Sequence, residues 1–305
     1  MQRARDLDDI PRLATEAASM RFREADRWPL EDCLEAMWEH SLHAFAAVRA
    51  ALPALARAVR AAAERLADDE GRLVYVGAGS SGRIAVQDGV ELWPTFSWPQ
   101  TRVAFALAGG ERALSRALEG AEDDARAGIE AMRRLDLGPR DVQLALAASG
   151  RTPFVLAAQR EARRRRALTV AFANNPGAPL LARAECPVLL ATGAEFLAGS
   201  TRMNAGTAQK IALNLFSTQL MFALGRVYEG RMVALVPTST KLEARALGIL
   251  RELTGAGEEA AREAFANAGR DLRLAVLLLD GLTLEEARER LARAGGNLRR
   301  ARASG

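Results

Sequence analysis

The sequence has few of the residues on which metal and disulfide chemistry depend. Its 305 residues include two cysteines and two histidines. Cys33 and Cys186 cannot form a disulfide framework, and this indicates a reducing compartment such as the cytoplasm. His40 and His43 are spaced i, i+3, but no carboxylate cluster accompanies them and no Cys/His cluster occurs in the chain. We therefore expect no metal site and no cofactor.

Long apolar runs and a charge of one sign are also missing. No run reaches the roughly 18 residues of a membrane span, and the charged start, MQRARDLDDIPRLATE, lacks the apolar segment of a signal peptide. The net charge is +4, although the pI is about 9.6. The basic residues alternate with acids along helices, and the dense run at 163–166 ends a helical stretch, which is typical of a solvated face. We therefore expect a cytoplasmic protein that binds neither membranes nor nucleic acids.

Five apolar, β-rich segments are present, and helical patterns separate them. The segments are RLVYVGAG, TRVAFALAGG, DVQLALAASG, ALTVAFANN and CPVLLAT. Helical patterns lie at 81–92, where Pro94 is expected to end the helix, and at 111–135 and 153–166. Strands that alternate with helices predict an α/β fold, with a parallel sheet covered by helices on both faces. The stretch GTAQKIALNLFSTQLMFALG is predicted to be a long helix that closes this domain.

Both ends of the chain are predicted to be helical. Residues 5–70 have helical spacing of apolar residues, interrupted at Pro53. The tail, 246–303, is helical throughout, and Thr283 with Glu286 forms a capping-box pattern. The predicted organisation is an N-terminal helical segment at 1–50, an α/β domain at 51–240 and a small helical domain at 246–305.

Two loops rich in serine and glycine follow strands of the predicted sheet and open helices. They are GAGSSGR and AASGRTP. In open α/β sheets ligands bind beyond the carboxyl ends of strands, and glycine-rich turns at helix N-termini bind anions. Two such loops at neighbouring strand ends fit a compact, hydroxyl-rich anion, so we predict a sugar phosphate as the ligand. The candidate ligand-binding residues are Gly79, Ser80, Ser81, Arg83, Ser149, Gly150, Arg151 and Thr152.

The same loops admit other interpretations. GAGSSG fits the dinucleotide pattern G-x-G-x-x-G, but that motif alone is weak, and no acidic residue is clearly placed about 20 residues further on. The loop is not a P-loop, because the Gly-Lys-Ser/Thr ending is missing. A serine ahead of a helix is often only its N-cap, and this reading would make both loops structural.

Carboxylates are the remaining candidates for catalysis, since no G-x-S-x-G elbow with a histidine partner is present. Asp88 and Glu91 are spaced i, i+3 behind the first loop, and Glu119 and Glu122 have the same spacing further along. Such acids are usually solvated, but both segments can border the crevice. Lys210 is one of two lysines among 42 basic residues. Its compact ammonium suits a binding role, so it joins the candidate ligand-binding residues.

At these residues the sequence resembles the N-acetylmuramic acid 6-phosphate etherases, within the sugar isomerase (SIS) domain superfamily. The matching stretches are VYVGAGSSGR, DGVELWPTF, LAGGERAL, LEGAED, AASGRTPFV, NNPGAP, GSTRMNAGTAQK and AGGNLRRA. GSTRMNAGTAQK together with EGAED is specific, because neither belongs to SIS domains at large. The resemblance implies a three-layer, flavodoxin-like SIS domain and a small, UBA-like C-terminal domain.

The resemblance also implies a carbon–oxygen lyase. The family cleaves the lactyl ether of N-acetylmuramic acid 6-phosphate to N-acetylglucosamine 6-phosphate and D-lactate during recycling of cell-wall sugars. Its two catalytic glutamates map onto Glu91 and Glu122. We expect Glu91 to act as the acid at the ether oxygen and Glu122 as the base, with exchanged roles as the alternative. Burial or a like-charged neighbour would raise the pKa of such carboxyls toward neutrality.

A homodimer follows from the resemblance as well. Glu91 lies about nine residues beyond Gly82, or roughly 13 Å along a helix. If the phosphate binds the first loop, we expect Glu91 to serve a site shared between subunits, whereas binding at the second loop requires no sharing.

The sequence departs from the family pattern beside the first glutamate. The family has D-A-S-E-C-P-P-T-F where this chain has DGVELWPTF, which differs at Gly89, Val90, Leu92 and Trp93. Asn204 stands where lysine is usual. These differences leave both glutamates in place and leave the exact substrate open.

Three other functions remain open from the sequence. A sugar-phosphate sensor similar to the glucokinase regulatory proteins needs the serine loops but not the paired acids. An SIS-type aldose–ketose isomerase needs a base at C2 but no acid at C3. A dinucleotide-dependent enzyme rests on GAGSSG alone.

Overall fold

The computed structural model describes residues 12–68 and 70–303, which form two compact units. The first unit comprises the described residues up to Gly89 together with Thr101–Phe216. The second comprises Val90–Gln100 and the described part of Ser217–Gly305. The domain boundaries expected from the sequence stay a prediction, and the one near residue 50 lies inside a helix.

The first unit is built on a parallel sheet of five strands in the order β2-β1-β3-β4-β5. All five predicted strands are present and the α/β class is confirmed, and the order is that of flavodoxin-like folds. The strands are β1 (Leu73–Gly77), β2 (Val103–Leu107), β3 (Val142–Leu146), β4 (Leu168–Ala173) and β5 (Cys186–Leu189).

Thirteen α-helices occur in the described residues. They are α1 (Leu30–Arg65), α2 (Gly79–Val90), α3 (Leu92–Phe96), α4 (Arg112–Ser115), α5 (Ala125–Arg134), α6 (Pro153–Arg164), α7 (Pro179–Ala182), α8 (Asn204–Ala223), α9 (Thr240–Thr254), α10 (Glu258–Asn267), α11 (Leu272–Leu279), α12 (Leu284–Arg293) and α13 (Leu298–Ala303).

The sheet is covered on both faces because alternate strand residues point to opposite sides. On one face, Val74 and Val76 pack with Met132 of α5 and Phe154 of α6. On the other, Phe172 contacts Phe216 of α8, with ring centroids 6.2 Å apart. Nearly every strand residue of β1, β3 and β4 is buried, as expected for a parallel sheet between two helical layers.

Helix α1 differs from its prediction, because it continues through Pro53 without a break. The proline side chain is exposed, so the missing N–H bond and the ring lie on the solvent side of the helix. By length and composition alone α1 could cross a membrane, since its most apolar window has a mean hydropathy of 1.3. Its buried alanines nevertheless pack against β4 and β5, which is the arrangement of a core helix.

Two further predicted helices end differently. The predicted helix 81–92 is α2, which stops at Val90, and Pro94 lies inside the separate short helix α3 rather than ending α2. The predicted helix 111–135 is divided into α4, a 3-10 turn at Ala121–Asp123 and α5. Gly120 has φ +72° and makes the turn between them. The N-terminal helical prediction is also wrong over 12–29, where only short 3-10 turns form, and its part at 5–11 lies outside the described residues.

The second unit has its own apolar core, formed by α9–α13. Leu250, Phe265, Val276 and Leu298 are buried in it. The predicted capping box at Thr283 is confirmed, since its side chain and that of Glu286 exchange hydrogen bonds with each other's backbone N–H groups. Residues 90–100 are bonded to this unit through the Val236 N–H, which donates to the Pro94 carbonyl at 3.3 Å.

Candidate active site

The two serine loops begin side by side at the carboxyl edge of the sheet. Gly77, the last residue of β1, pairs in register with Leu146, the last residue of β3. Gly77 also pairs with Leu107 of β2, so the segment that leads to Glu122 begins on the other side of β1. The juxtaposition expected from the sequence is therefore present, and three chain segments leave one edge of the sheet together.

The first loop is short because α2 starts at Gly79. Ser80 and Ser81 consequently lie in the first turn of the helix, where backbone N–H groups lack helical partners and favour anions. Gly79 has φ +53°, and a Cβ there would meet open space. A Cβ on Gly77 would lie 2.6 Å from the Cα of Gly82, so glycine at this position allows the helix to approach the strand closely.

The Arg83 side chain stabilises the neighbouring chain segment that follows β2. Its Nε donates to the Ala113 carbonyl and its Nη2 to the Arg116 carbonyl, both at 2.9 Å. These bonds hold the chain that leads from α4 to Glu122. The contact of Arg83 with substrate stays a prediction.

The backbone of the second loop is fixed by a side-chain hydrogen bond and a glycine with positive φ, and one hydroxyl of the loop makes no helix-capping bond. The Ser149 Oγ accepts the Arg151 N–H at 3.1 Å, and Gly150 has φ +63°. A Cβ on Gly150 would clash with the Cβ of Ala178, so both conformation and space require glycine. Thr152 is the N-cap residue of α6, yet its side chain makes no capping hydrogen bond. The reading of this loop as a mere helix cap is therefore not supported for Thr152.

Two asparagines that the sequence analysis left without a role support the second loop. Asn174 and Asn175 follow β4 and are buried. The Asn174 N–H donates to the Ala148 carbonyl at 2.9 Å, and the Asn175 Nδ2 donates to the same carbonyl at 3.0 Å. The Asn174 Oδ1 accepts from Gln209 Nε2 of α8 at 2.9 Å. The sequence signal that could have indicated this role is the pair of consecutive asparagines directly after a predicted buried strand.

Thr15 joins this network from the start of the chain. It is fully buried, and its Oγ1 accepts from Asn175 Nδ2 at 3.1 Å. Its carbonyl accepts the Gly199 N–H at 3.0 Å. The contact lies 160 residues away along the chain, so sequence spacing could not predict it.

The start of α8 is held by a buried carboxylate. Glu195 accepts the N–H groups of Asn204 at 2.8 Å and Ala205 at 2.9 Å, and its burial raises the pKa of the carboxyl. The Asn204 side chain, at the position where the family has lysine, donates to the His40 carbonyl at 3.1 Å. Asn204 is thus an internal link between α8 and α1. Lys210 donates to Asn214 Oδ1, one turn along α8, at 2.9 Å.

The two glutamates singled out as catalytic are both exposed. Glu122 lies in the 3-10 turn after Gly120, within the first unit. Glu91 lies between α2 and α3 and is grouped with the second unit. The burial expected for such carboxyls is absent in the single chain.

Asp88, the other acid behind the first loop, has a structural partner instead. It is buried and accepts the Tyr75 hydroxyl at 2.9 Å. Burial, and secondarily the charge of Asp88, raises the pKa of Tyr75. Trp93, the large residue beside Glu91, lines a cavity of about 380 Å³ within the second unit, together with residues 233–237.

No group of three or more His, Cys, Asp or Glu side chains is placed to hold a metal ion in the described residues, 12–68 and 70–303. The rings of His40 and His43 lie 4.7 Å apart. Nε2 of His40 is 3.0 Å from the Ala194 carbonyl, and burial lowers its pKa. This pair is therefore part of the contact between α1 and the segment after β5.

Comparison with known proteins places these features in a family. A family model for the N-terminal SIS domain of glucokinase regulatory protein matches residues 54–162. An N-acetylmuramic acid 6-phosphate etherase from Deinococcus radiodurans is 48% identical over 292 residues, which cover 95% of this chain and 95% of that protein. An etherase of the same name from Shouchella clausii is 40% identical over 95% of this chain and 98% of its own length. Among solved structures, a phosphoheptose isomerase from Francisella tularensis has a TM-score of 0.46 and 21% identity, and the match covers 64% of this chain and 98% of that one.

Proposed function

Because the chain belongs to the family of N-acetylmuramic acid 6-phosphate etherases, we propose that it cleaves the lactyl ether of N-acetylmuramic acid 6-phosphate. It is then a carbon–oxygen lyase whose products are N-acetylglucosamine 6-phosphate and D-lactate. The observation that carries the proposal is the 48% identity over 95% of the chain. The pairing of Gly77 with Leu146 supports it, because it brings the two serine loops, whose composition suits an anion, to one sheet edge.

The two loops hold the phosphate and the sugar hydroxyls in this proposal. The first turn of α2 offers unpaired backbone N–H groups and the hydroxyls of Ser80 and Ser81. The second loop offers the Thr152 hydroxyl, which is not used for capping, and the Arg151 guanidinium. We assign Lys210 and Arg83 to the rim of the same site.

Two glutamates provide the proton transfers. In the open-chain form of the sugar, the C2 proton is acidic because the carbanion is conjugated with the C1 aldehyde. Glu122 takes this proton as the C3–O bond breaks, and Glu91 protonates the departing lactyl oxygen. Water then adds to C3 of the alkene, and the proton returns to C2. The two roles can be exchanged without changing the reaction.

We further propose that the enzyme acts as a homodimer, in the cytoplasm, on sugars recovered from the cell wall. Proton transfer to and from carbon is favoured where water is excluded. Glu91 and Glu122 are both exposed in the single chain, and this supports a site that a second copy completes.

A sugar-phosphate sensor is the second candidate, since the family model that matches 54–162 is that of a regulatory protein. Such a sensor would bind the phosphosugar through the loops and leave it intact. The paired glutamates favour the etherase, because a sensor has no use for an acid and a base.

The test is release of D-lactate from N-acetylmuramic acid 6-phosphate. We expect turnover by the wild type and a loss of at least about 100-fold in Glu91→Gln and Glu122→Gln, since each removes a proton-transfer group. Glu119→Gln is the matched control, because Glu119 is equally exposed and lies three residues away. Binding of the phosphosugar by the wild type, without D-lactate release, would support the sensor instead.

A further inference from the structure

Thr15 and Glu16 are held at the segments that leave the carboxyl ends of β4 and β5. The Thr15 N–H donates to Asn175 Oδ1, after β4, at 3.3 Å. The Thr15 carbonyl accepts the N–H of Gly199, between β5 and α8, at 3.0 Å. Asn175 also donates to the Ala148 carbonyl at the second serine loop. Because Thr15 is buried and bonded on both sides, it fixes the position of Glu16 at this edge of the sheet.

The Glu16 carboxylate lies against the backbone of Gly199. A Cβ built on Gly199, whose φ is +75°, would be 2.7 Å from Glu16 Oε2. Glycine at 199 therefore leaves room for this carboxylate as well as allowing the backbone conformation. Glu16 is half-buried, and its carboxylate has no hydrogen bond or ion pair within residues 12–68 and 70–303.

Two other proton-transfer groups near the end of β5 already have partners. The Glu195 carboxylate accepts the N–H groups of Asn204 and Ala205. His40 Nε2 lies 3.0 Å from the Ala194 carbonyl. Buried polar groups that serve the fold are normally paired in this way. The carboxylate beside position 199 is not, so its oxygens are free to bond with a ligand.

The distance between the serine loops and Glu16 suits a hexose phosphate. The loops leave the adjacent strands β1 and β3, and Glu16 lies beside the ends of β4 and β5, in the order β1-β3-β4-β5. Neighbouring strands are about 4.8 Å apart, so the two pairs are separated by about 10 Å across the sheet. This is comparable with the distance from the phosphate of a hexose 6-phosphate to a group that is hydrogen-bonded to its C1 hydroxyl. A sugar bound by its phosphate at the loops thus presents C1 to Glu16.

The proposed reaction contains a step that the roles of Glu91 and Glu122 leave unassigned. The substrate closes as a six-membered hemiacetal, in which C1 carries a hydroxyl and is not an aldehyde. The C2 proton becomes acidic only when this ring has opened. Opening breaks the C1–O5 bond, forms the C1=O bond and moves a proton from O1 to O5. It therefore needs a group that accepts a proton at C1 and returns it to the ring oxygen.

We propose that Glu16 catalyses this ring opening. Its carboxylate takes the proton from the C1 hydroxyl as the C1–O5 bond breaks, and it then gives the proton to O5. Both oxygens are bonded to C1, so one carboxylate reaches both. The residue ends in its starting state, and no further reactant is consumed. The inference rests on the etherase activity proposed above and adds a third carboxylate with a step of its own.

Exchange between the two anomers of N-acetylglucosamine 6-phosphate measures ring opening without ether cleavage. Each anomer converts to the other through the open chain, and exchange NMR gives the rate. We expect the wild type to accelerate this exchange and Glu16→Gln to lower the enzymatic rate by about 100-fold, since the amide cannot take the proton. Glu24→Gln is the matched control, because Glu24 is an exposed carboxylate beside another 3-10 turn of the same segment. It should exchange the anomers like the wild type.

The kinetics of D-lactate release distinguish catalysis from a structural role. Glu16→Gln should lower kcat by about 10-fold or more, because spontaneous ring opening then supplies the aldehyde. Its KM should stay within about threefold of the wild-type value, since glutamine still forms a hydrogen bond with the C1 hydroxyl. A residue that only supports the fold of the loops would instead raise KM when it is changed.

Glu122→Gln separates this proposal from the proposed activity. It should lose D-lactate release and keep the anomer exchange, because it removes the base at C2 and leaves Glu16 in place. Anomer exchange by Glu16→Gln at the wild-type rate, or a raised KM with unchanged kcat, would overturn the proposal. A wild type that releases D-lactate without accelerating the exchange would overturn it as well and leave the etherase standing. A wild type that exchanges the anomers and releases no D-lactate would refute the etherase and support ring opening by this site.

Discussion

Gly79 and Gly150 each lie in one of the two serine loops, and their surroundings differ. Both have a positive φ, +53° and +63°. A Cβ on Gly79 would meet open space, whereas one on Gly150 would clash with Ala178. The first loop therefore requires only a backbone conformation, and the second also requires close packing against the segment after β4.

This difference predicts unequal effects of alanine. Gly150→Ala should lower the free energy of unfolding by about 2–4 kcal/mol, because left-handed strain and a clash add. Gly79→Ala should cost about 1 kcal/mol, since only the strain is present. Urea unfolding followed by circular dichroism measures both. Equal losses of unfolding free energy in the two variants would mean that Ala178 moves to make room for the new Cβ and that the second loop is not tightly packed.

At the scale of single residues, the sequence identified candidate site residues by the chemistry of their side chains. It missed residues whose role depends on contacts that only the folded chain makes. The hydroxyls and glycines of both loops stand out by composition, and the structure places the loops together. Asn175 and Thr15 could not be paired, because their bond joins residues 160 positions apart. Arg83 was expected at the ligand, and its guanidinium also donates to two carbonyls of the segment before Glu122.

Helices α5 and α6 are joined by a carboxylate with several arginine partners. Glu161 of α6 is 5% exposed and bonds to Arg164 at 2.6 Å and Arg165 at 3.0 Å. Arg133 of α5 lies 3.5 Å away. The hydrogen bond from Arg164 is the main cause that lowers the pKa of Glu161 to about 2.

The lowered pKa makes the contribution of Glu161 to the free energy of unfolding dependent on pH. Its pKa is lower in the folded chain than the ordinary value of 4.5. The stabilisation is therefore present above pH 4.5 and is lost as the pH falls toward 2. Glu161→Gln should cost about 2 kcal/mol at pH 7, discounted because its arginine partners are partly solvated.

Urea unfolding at a series of pH values tests this account. The difference between wild type and Glu161→Gln should narrow as the pH falls below 4.5. Glu130→Gln is the control, since its pair with Arg126 is exposed and should leave the free energy of unfolding almost unchanged at every pH. A difference that is constant with pH would show that packing, rather than charge, holds the helices.

Strands were easier to predict than helix ends for a physical reason. A buried strand is specified by a short apolar run, and all five runs became strands. Helix ends depend on distant partners. Helix α2 stops at Val90 where the chain turns to make α3, and α3 is capped at Ser97, whose hydroxyl donates to the Ala234 carbonyl. No local sequence pattern predicts that contact.

On the scale of the whole molecule, the described residues form separate apolar cores in the two units. The β-sheet core includes Val74 and Phe154, and the C-terminal core includes Leu250 and Val276. The sequence predicted both helical and α/β regions. It could not predict that Val90–Gln100 groups with the C-terminal helices, because that grouping depends on bonds to residues more than 100 positions away.

The near-full-length similarity to the etherases and the side-by-side loops support one central claim. The chain cleaves a sugar–lactyl ether by elimination of the lactyl group and hydration of the resulting alkene. The most direct measurement is turnover of N-acetylmuramic acid 6-phosphate in water enriched in oxygen-18. Cleavage of the C3–O bond and addition of water at C3 predict label on C3 of N-acetylglucosamine 6-phosphate, seen as a carbon-13 isotope shift, and none in D-lactate. Label in the lactate, or no lactate at all, would contradict the claim.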